Sequence, residues 1–270
     1  MIEDVPVFVL CGGQGTRLRE ETQVRPKPMV PIGNHPILWH ILRSYAHYGF
    51  RNFVLCLGYK ADIITTYFLN YTAVNSDFTI DLKTNHVTVH SVDHDQDWTV
   101  TLAFTGDLTM TGGRVARAAR KYLGDAEYFA VTYGDGLTNA NLRNEFMSHV
   151  EGQPIGTVLG VNPPSRFGQF KHRDNRVIEF EEKPAFPDDW INGGYFFFRR
   201  QFLEYLTTDE DSVLEREPLA QLARDGQLNL YKHSGFWACM DTQRDRDHLN
   251  HLWSTGQAPW DPKIMAASNK

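Results

Sequence analysis

Val5 to Cys11 is apolar almost throughout and runs directly into a turn with three glycines, Cys11-Gly12-Gly13-Gln14-Gly15-Thr16-Arg17-Leu18. A strand that offers neither face to water must lie inside a sheet covered by helices on both sides, the position taken by strands of parallel α/β sheets. The residues that follow keep this pattern. Ile37, Leu38, Ile41, Leu42 and Tyr45 recur at helical spacing, and Gly49 marks the stop. Phe53 to Leu57 reads as a second buried strand and Ala61 to Asn70 as a second helix. Strand, helix, strand, helix is the opening of a mainly parallel sheet, so the fold class is α/β.

The pattern breaks between about residues 75 and 105. Val87 and Val89 alternate with His86, Thr88 and His90, and Trp98, Val100, Leu102 and Phe104 alternate with smaller residues. Alternation of period two predicts half-exposed strands, here a small antiparallel excursion whose aromatics suit a subunit contact. Helical and strand signals then resume: Arg114–Tyr122, Leu142–Val150, Leu219–Ala223 and Asp245–Trp253 as helices, with Tyr128–Tyr133, Thr157–Val161, Val177–Phe180 and Tyr195–Phe198 as strands. Residues 1–257 are expected to form a single domain and residues 258–270 a loose tail.

Charge narrows the function. The net charge of -6 lacks the broad basic footprint of a nucleic-acid binder, so phosphates would have to be met by a few local cations and backbone donors. No apolar run approaches the roughly 18 residues that span a bilayer, and Met1-Ile2-Glu3-Asp4 is not a basic leader; the expected location is the cytoplasm. Cys11, Cys56 and Cys239 are scattered and all stand in apolar runs, which predicts small buried side chains rather than a disulfide or a zinc site.

Glycines after a first strand let backbone amides converge on a ligand, and phosphate oxygens are the natural guest. A Walker loop is excluded because no lysine stands at its place. A dinucleotide fingerprint fails because Leu18 stands where a glycine or small residue is needed. Downstream, Arg25-Pro26-Lys27-Pro28 fixes a lysine between two prolines. A cation held that rigidly loses little further entropy on meeting an anion. Thr132-Tyr133-Gly134-Asp135-Gly136 ends a strand with a carboxylate between two glycines, and Asp241 follows the apolar run Phe236–Met240. Either aspartate also suits a plain role, Asp135 in a turn and Asp241 as a helix cap. His86, His90 and His94 stand four residues apart, but on a strand that spacing covers roughly 13 Å, too far to share one metal.

Gly13-x-Gly15-Thr16-Arg17 followed by Pro26-Lys27-Pro28 resembles the signature of the sugar nucleotidyltransferases, the nucleotide-sugar pyrophosphorylases. LCGGQGTRLREETQVRPKPMVPIG, PILWHILRSYAHYGF, TMTGGRVAR, TYGDG, RFGQF, EEKP, WINGGYFFF and GFWACMDT are similar to the cytidylyltransferase branch, and the likeness runs from about Val5 to Trp260. The resemblance implies a Rossmann-like nucleotide-diphospho-sugar transferase fold, a mixed but mainly parallel sheet flanked by helices. It implies CTP and glucose 1-phosphate as substrates, CDP-glucose and pyrophosphate as products, Mg2+ as cofactor, and a homo-oligomer such as a hexamer. It implies nucleotide contacts at Leu10, Gly12, Gly13, Gly15, Thr16, Arg17, Lys27, Thr111, Gly113, Arg114, Tyr133 and Gly134. Sugar-phosphate contacts fall on Gly168, Glu182, Lys183, Asn192, Gly193 and Gly194, metal ligands on Asp135 and Asp241, and catalytic roles on Arg17, Lys27, Asp135 and Lys183. The glycines of Thr111-Gly112-Gly113-Arg114 are expected to let main-chain groups reach the base edge. Relatives that use uracil or thymine share this signature. A silent sugar-nucleotide-binding subunit would be expected to lack one of Arg17, Lys27, Asp135, Lys183 or Asp241, and all five are present. Ala238-Cys239 stands where the family pattern is bulkier and more polar.

Overall fold

The computed structural model describes residues 2–90, 97–163, 168–182 and 189–268, with the main chain alone at Arg17, Arg19, Gln169, Ala267 and Ser268. A seven-stranded sheet forms its centre: β1 (Val7–Leu10), β2 (Asn52–Leu57), β3 (Thr99–Phe104), β4 (Tyr128–Tyr133), β5 (Gly156–Val161), β6 (Ile191–Arg199) and β7 (Leu228–His233). The spatial order is β7-β5-β6-β4-β1-β2-β3. β1 pairs in parallel with β2 and β4, β2 with β3, and β5 with β7, while β6 runs against both β4 and β5.

The apolar first strand feeds two separate layers, because successive side chains alternate between the faces of a sheet. Val7 and Val9 join a core with Ile37, Ile41 and Tyr45 of α1 (Ile37–His47), Ile64 of α2 (Ala61–Leu69) and Phe146 of α4 (Leu142–Gly152). Phe8 and Leu10 join the opposite core, with Val115 and Ala119 of α3 (Thr111–Tyr122) and Leu222 of α5 (Glu217–Arg224). Gly49 follows α1 at φ +99°, where a side chain would be strained, and so stops the helix as expected.

Two expectations are corrected. The alternating stretch 75–105 contains a small antiparallel hairpin, Phe78–Asp81 with His86–Val89, but Thr99–Phe104 is the parallel edge strand β3. An edge strand packs less completely than a central one, so it carries the same alternation as an antiparallel ribbon. The segment expected to be a loose tail is packed from Ala258 to Met265. Trp260 and Met265 are buried in the first core beside Leu249 of α6 (Gln243–Ser254), and Trp260 Nε1–H donates to His40 Nδ1 at 3.3 Å. A buried indole fills enough space to anchor a short segment. Among the described residues no helix is long and apolar enough to cross a membrane.

The chain lays β1, β2 and β3 outward in one direction, then returns to place β4 on the other side of β1. Ligands of open α/β sheets bind beyond the carboxyl ends of the strands where the order reverses. Here that point is Leu10 beside Tyr133, which are register partners.

Candidate active site

A cavity of about 480 Å³ opens at that reversal. Leu10, Gly12, Gly13, Gly15, Thr16, Lys27, Thr111, Arg114, Tyr133 and Gly134 all line it, together with Asp135 and Asp241. Residues far apart in sequence meet here for local reasons. The turn after β1 is fixed by Arg114, whose guanidinium donates to the carbonyls of Gly12 (2.9 Å), Leu57 (2.9 Å), Gly106 (2.7 Å) and Asp107 (3.2 Å) and to Thr105 Oγ1 (2.9 Å). A Cβ at Gly12 or Gly58 would collide with that guanidinium, which explains glycine at both positions. Burial lowers the Arg114 pKa, and it stays a cation ringed by carbonyl oxygens. Its donors hold the phosphate-type turn in shape. Gly13, by contrast, is exposed and has nothing within 4 Å of where a Cβ would lie, so its backbone stands open to a ligand.

Lys27 reaches the cavity on a 3-10 turn, Lys27–Met29, begun by Pro26. Pro28 packs on the end of β4, because a Cβ on Gly134 would lie 2.8 Å from Pro28 Cγ and 2.8 Å from the Leu10 carbonyl. The two aspartates are brought together by a short antiparallel ladder, Gly136–Thr138 with Trp237–Cys239, in which Cys239 pairs with Gly136. Met240 N–H then donates to the Asp135 carbonyl at 2.9 Å, leaving the Asp135 and Asp241 side chains side by side. Asp241 is not the cap of α6. Thr242 takes that role in a capping box with Asp245, so the Asp241 carboxylate faces the cavity.

Lys27 Nζ donates to Asp135 Oδ2 at 2.6 Å and to Asp241 Oδ1 at 2.7 Å. Burial works against its charge, yet the Asp135 charge and the two hydrogen bonds outweigh it and push the Lys27 pKa up. Asp135, Cys239 and Asp241 each offer a ligand atom within 4.8 Å of the others. Cys239, expected to be a plain core residue, therefore belongs to the site. Burial, followed by the Asp135 charge, pushes its thiol up, so the available donors are chiefly two carboxylates. Oxygen donors at the lip of a phosphate-type turn fit a hard divalent cation, and the ammonium already seated between them shows that the place attracts positive charge.

The residues expected on the sugar side lie in different places. Gly168 and Glu182 flank the hairpin Gln169–Arg173 with Arg176–Glu181, and a Cβ on Gly168 would lie 2.9 Å from Glu182 Oε2. Asn192 Oδ1 accepts from Gly194 N–H at 2.8 Å, and its Nδ2 donates to Tyr133 OH at 3.3 Å. Gly193 is buried in β6, and its carbonyl accepts from Trp237 Nε1–H at 2.7 Å. Lys183, Phe167 and His94 lie outside the described residues, as does the side chain of Arg17.

Gly112 and Gly113 have a packing role that the sequence did not suggest. A Cβ on Gly113 would strike the Asp209 carbonyl, and its N–H already donates to the Ser212 carbonyl at 3.1 Å. They let the 209–214 loop pack on the start of α3, and the Gly113 amide is taken up by that packing. Sequence reasoning also missed Glu215. Its carboxylate accepts from Thr111 Oγ1 at 2.8 Å and from the Tyr133 hydroxyl. No spacing in the sequence points to that meeting, since Glu215 lies 104 and 82 residues from its partners.

Residues 7–242 match the family model described as nucleotidyl transferase. The chain belongs to the nucleotidyl transferase family. A glucose-1-phosphate cytidylyltransferase of Salmonella typhimurium is 43% identical over 252 residues, 93% of this chain and 97% of that protein. The protein of the same name from Salmonella typhi is 42% identical over the same shares. Among solved structures, HddC from Yersinia pseudotuberculosis superposes with a TM-score of 0.68 at 20% identity, over 92% of this chain and 99% of that one, which shows the common fold. The nucleotidyl transferase is thus an enzyme of a family that uses a divalent metal, and the paired carboxylates are the described residues suited to hold one.

Proposed function

We propose that this nucleotidyl transferase moves a cytidylyl group from CTP to α-D-glucose 1-phosphate, giving CDP-glucose and pyrophosphate. The observation that carries the reading is the convergence of Lys27, Asp135 and Asp241 at the mouth of the glycine-turn cavity. The base and the sugar rest on two relatives, each more than 40% identical over nearly the whole chain, that bear those substrates in their names.

The reaction needs two anions brought together. An oxygen of the sugar phosphate forms the new bond to the α-phosphorus in line with the breaking bond, and pyrophosphate carries away the electron pair. That oxygen is ionised at neutral pH, so no general base is required, and catalysis reduces to positioning and charge neutralisation. Mg2+, when bound, supplies divalent charge to the triphosphate. Asp135 and Asp241 would hold it. Lys27, released from the carboxylates, is placed to meet phosphate oxygens, and the exposed Gly13 backbone lets the triphosphate lie close to the turn. Arg17 and Lys183 complete the reading as cations for the triphosphate and for the sugar phosphate, with Glu182 and Asn192 on the hexose hydroxyls. Self-association fits the apolar residues exposed on the two small hairpins, among them Phe78, Ile80, Phe170 and Phe180.

A panel of the four nucleoside triphosphates, each with glucose 1-phosphate and Mg2+ and read by pyrophosphate release, tests the assignment. CTP should be preferred by at least about tenfold in kcat/KM, because a buried site built for one base leaves groups unpaired with another. Preference for UTP or dTTP would reassign the base.

A further inference from the structure

Glu215 has no part in the reading above, yet its carboxylate closes a line of hydrogen bonds across the cavity mouth. Oε2 accepts from Thr111 Oγ1 at 2.8 Å, and Oε1 accepts from the Tyr133 hydroxyl. Thr111 accepts in turn from Leu214 N–H at 2.9 Å. The Tyr133 oxygen accepts from Asn192 Nδ2 at 3.3 Å, and Asn192 is itself oriented by Gly194 N–H at 2.8 Å. Thr111 opens α3, Tyr133 ends β4 and Asn192 stands near the start of β6, so one side chain joins two elements directly and a third through Tyr133. A carboxylate is the side chain for this place. It accepts on both oxygens without donating, whereas an amide of the same shape offers one acceptor only. The Tyr133 ring has little freedom on its other side, because Gly194, at φ +79°, lies against it so closely that a Cβ there would strike the ring.

The loop that carries Glu215 is secured without it. Met110 N–H donates to the Glu210 carbonyl at 2.7 Å, Gly113 N–H donates to the Ser212 carbonyl at 3.1 Å, and Leu214 is fully buried. The exposed carboxylate is therefore not what keeps the loop folded.

We propose that Glu215 is a positioning residue that keeps the nucleotide wall, through Thr111, in register with the sugar wall, through Tyr133 and Asn192. The proposal rests on the substrate reading given above. It makes Tyr133 a link in the same line, so removing Glu215 leaves little for the tyrosine hydroxyl to do.

The test is steady-state kinetics on Glu215→Ala, Tyr133→Phe and the double variant, with both substrates varied and melting temperature recorded. Tyr133→Phe should raise KM for glucose 1-phosphate several-fold, and more than it raises KM for CTP. Glu215→Ala should raise both, and the double variant should match Glu215→Ala alone in its sugar-phosphate KM. Glu215→Gln, which keeps the volume, should recover part of the loss, and it replaces alanine in the cycle if alanine lowers the melting temperature. Both KM values of Glu215→Ala within twofold of wild type, or a double variant whose defects multiply, would overturn the proposal. Wild-type protein inactive with CTP and glucose 1-phosphate in the same assay would remove the substrate reading first, and the proposal with it.

Discussion

Lys27 Nζ lies 2.6 Å from Asp135 Oδ2, and the same ammonium lies 2.7 Å from Asp241. A divalent ion held by this pair of carboxylates would have to displace the lysine from them. All three side chains are mostly shielded from water, at 12%, 24% and 16% exposure, so neither interaction is a weak surface pair. Lys27→Ala leaves two carboxylates facing each other and should cost up to about 3 kcal/mol of stability, the low end of the penalty for removing one partner of a buried pair, since these side chains keep some exposure. Added Mg2+ should raise the melting temperature of this variant more than that of wild type, since a ligand stabilises in proportion to how tightly it binds the native state. Calorimetry with and without Mg2+ checks the difference, and equal shifts in both proteins would contradict competition.

Asp135→Asn keeps the shape of the side chain and removes its charge. Turnover should fall by at least about 100-fold, the scale of a lost charge-stabilising group. Folding should be preserved, because Met240 N–H bonds the Asp135 main-chain carbonyl and not its side chain. Circular dichroism together with pyrophosphate release at several Mg2+ concentrations separates the two effects.

Arg114→Lys should damage the fold more than its conservative look suggests. A lysine cannot reproduce a planar fork that donates to four carbonyls, and each buried carbonyl left unmet costs about 1–3 kcal/mol. Denaturant midpoints should fall accordingly. Gly12→Ala should behave alike, because its methyl group would occupy the guanidinium's place.

His40 gives the molecule an acid limb. Its Nδ1 accepts from Trp260 Nε1–H, leaving Nε2–H to donate to the Ile32 carbonyl at 2.9 Å, so the neutral ring is the one that fits. Burial lowers its pKa from 6.5 to about 4. The unfolded chain therefore binds the extra proton between pH 6.5 and 4, and stability falls as pH falls through that window, by up to about 3 kcal/mol. His149, lowered to about 4 chiefly by burial, acts in the same direction. Chemical denaturation between pH 7 and 4 should show the loss, and His40→Gln should flatten it.

Glu145 works the other way. It is fully buried, neither carboxyl oxygen has a hydrogen-bond partner among the described residues, and burial pushes its pKa well up. Burial therefore penalises the ionised form, which is the form the unfolded chain carries at pH 7. Glu145→Gln should raise the melting temperature at pH 7, and the gap should close as pH approaches the ordinary carboxyl value.

The parts of this protein that follow from local repetition were legible in its sequence. Val7 to Leu10 could only be a central strand, and Pro26 and Pro28 announced a fixed Lys27 because proline sets its own backbone. Alternation at Trp98 to Phe104 was ambiguous, since an edge strand of a parallel sheet and half of an antiparallel ribbon bury the same pattern. Cys239 looked like core because its neighbours are apolar, and only the ladder with Gly136 turns it toward the cavity. Gly113 read as a ligand contact because a glycine signals close approach without saying to what; the answer is the Asp209 carbonyl. Glu215 left no trace, since a partnership across about a hundred residues is written in the fold alone.

The seat of Trp260 against His40 has a bearing on how the molecule is made. The histidine emerges early in synthesis and its indole neighbour more than two hundred residues later. Until residue 265 clears the ribosome, the layer under α1 has a hole where the indole and Met265 belong. The layer under α1 therefore stays unfilled for most of elongation and can close only once residue 265 is free to fold back onto it.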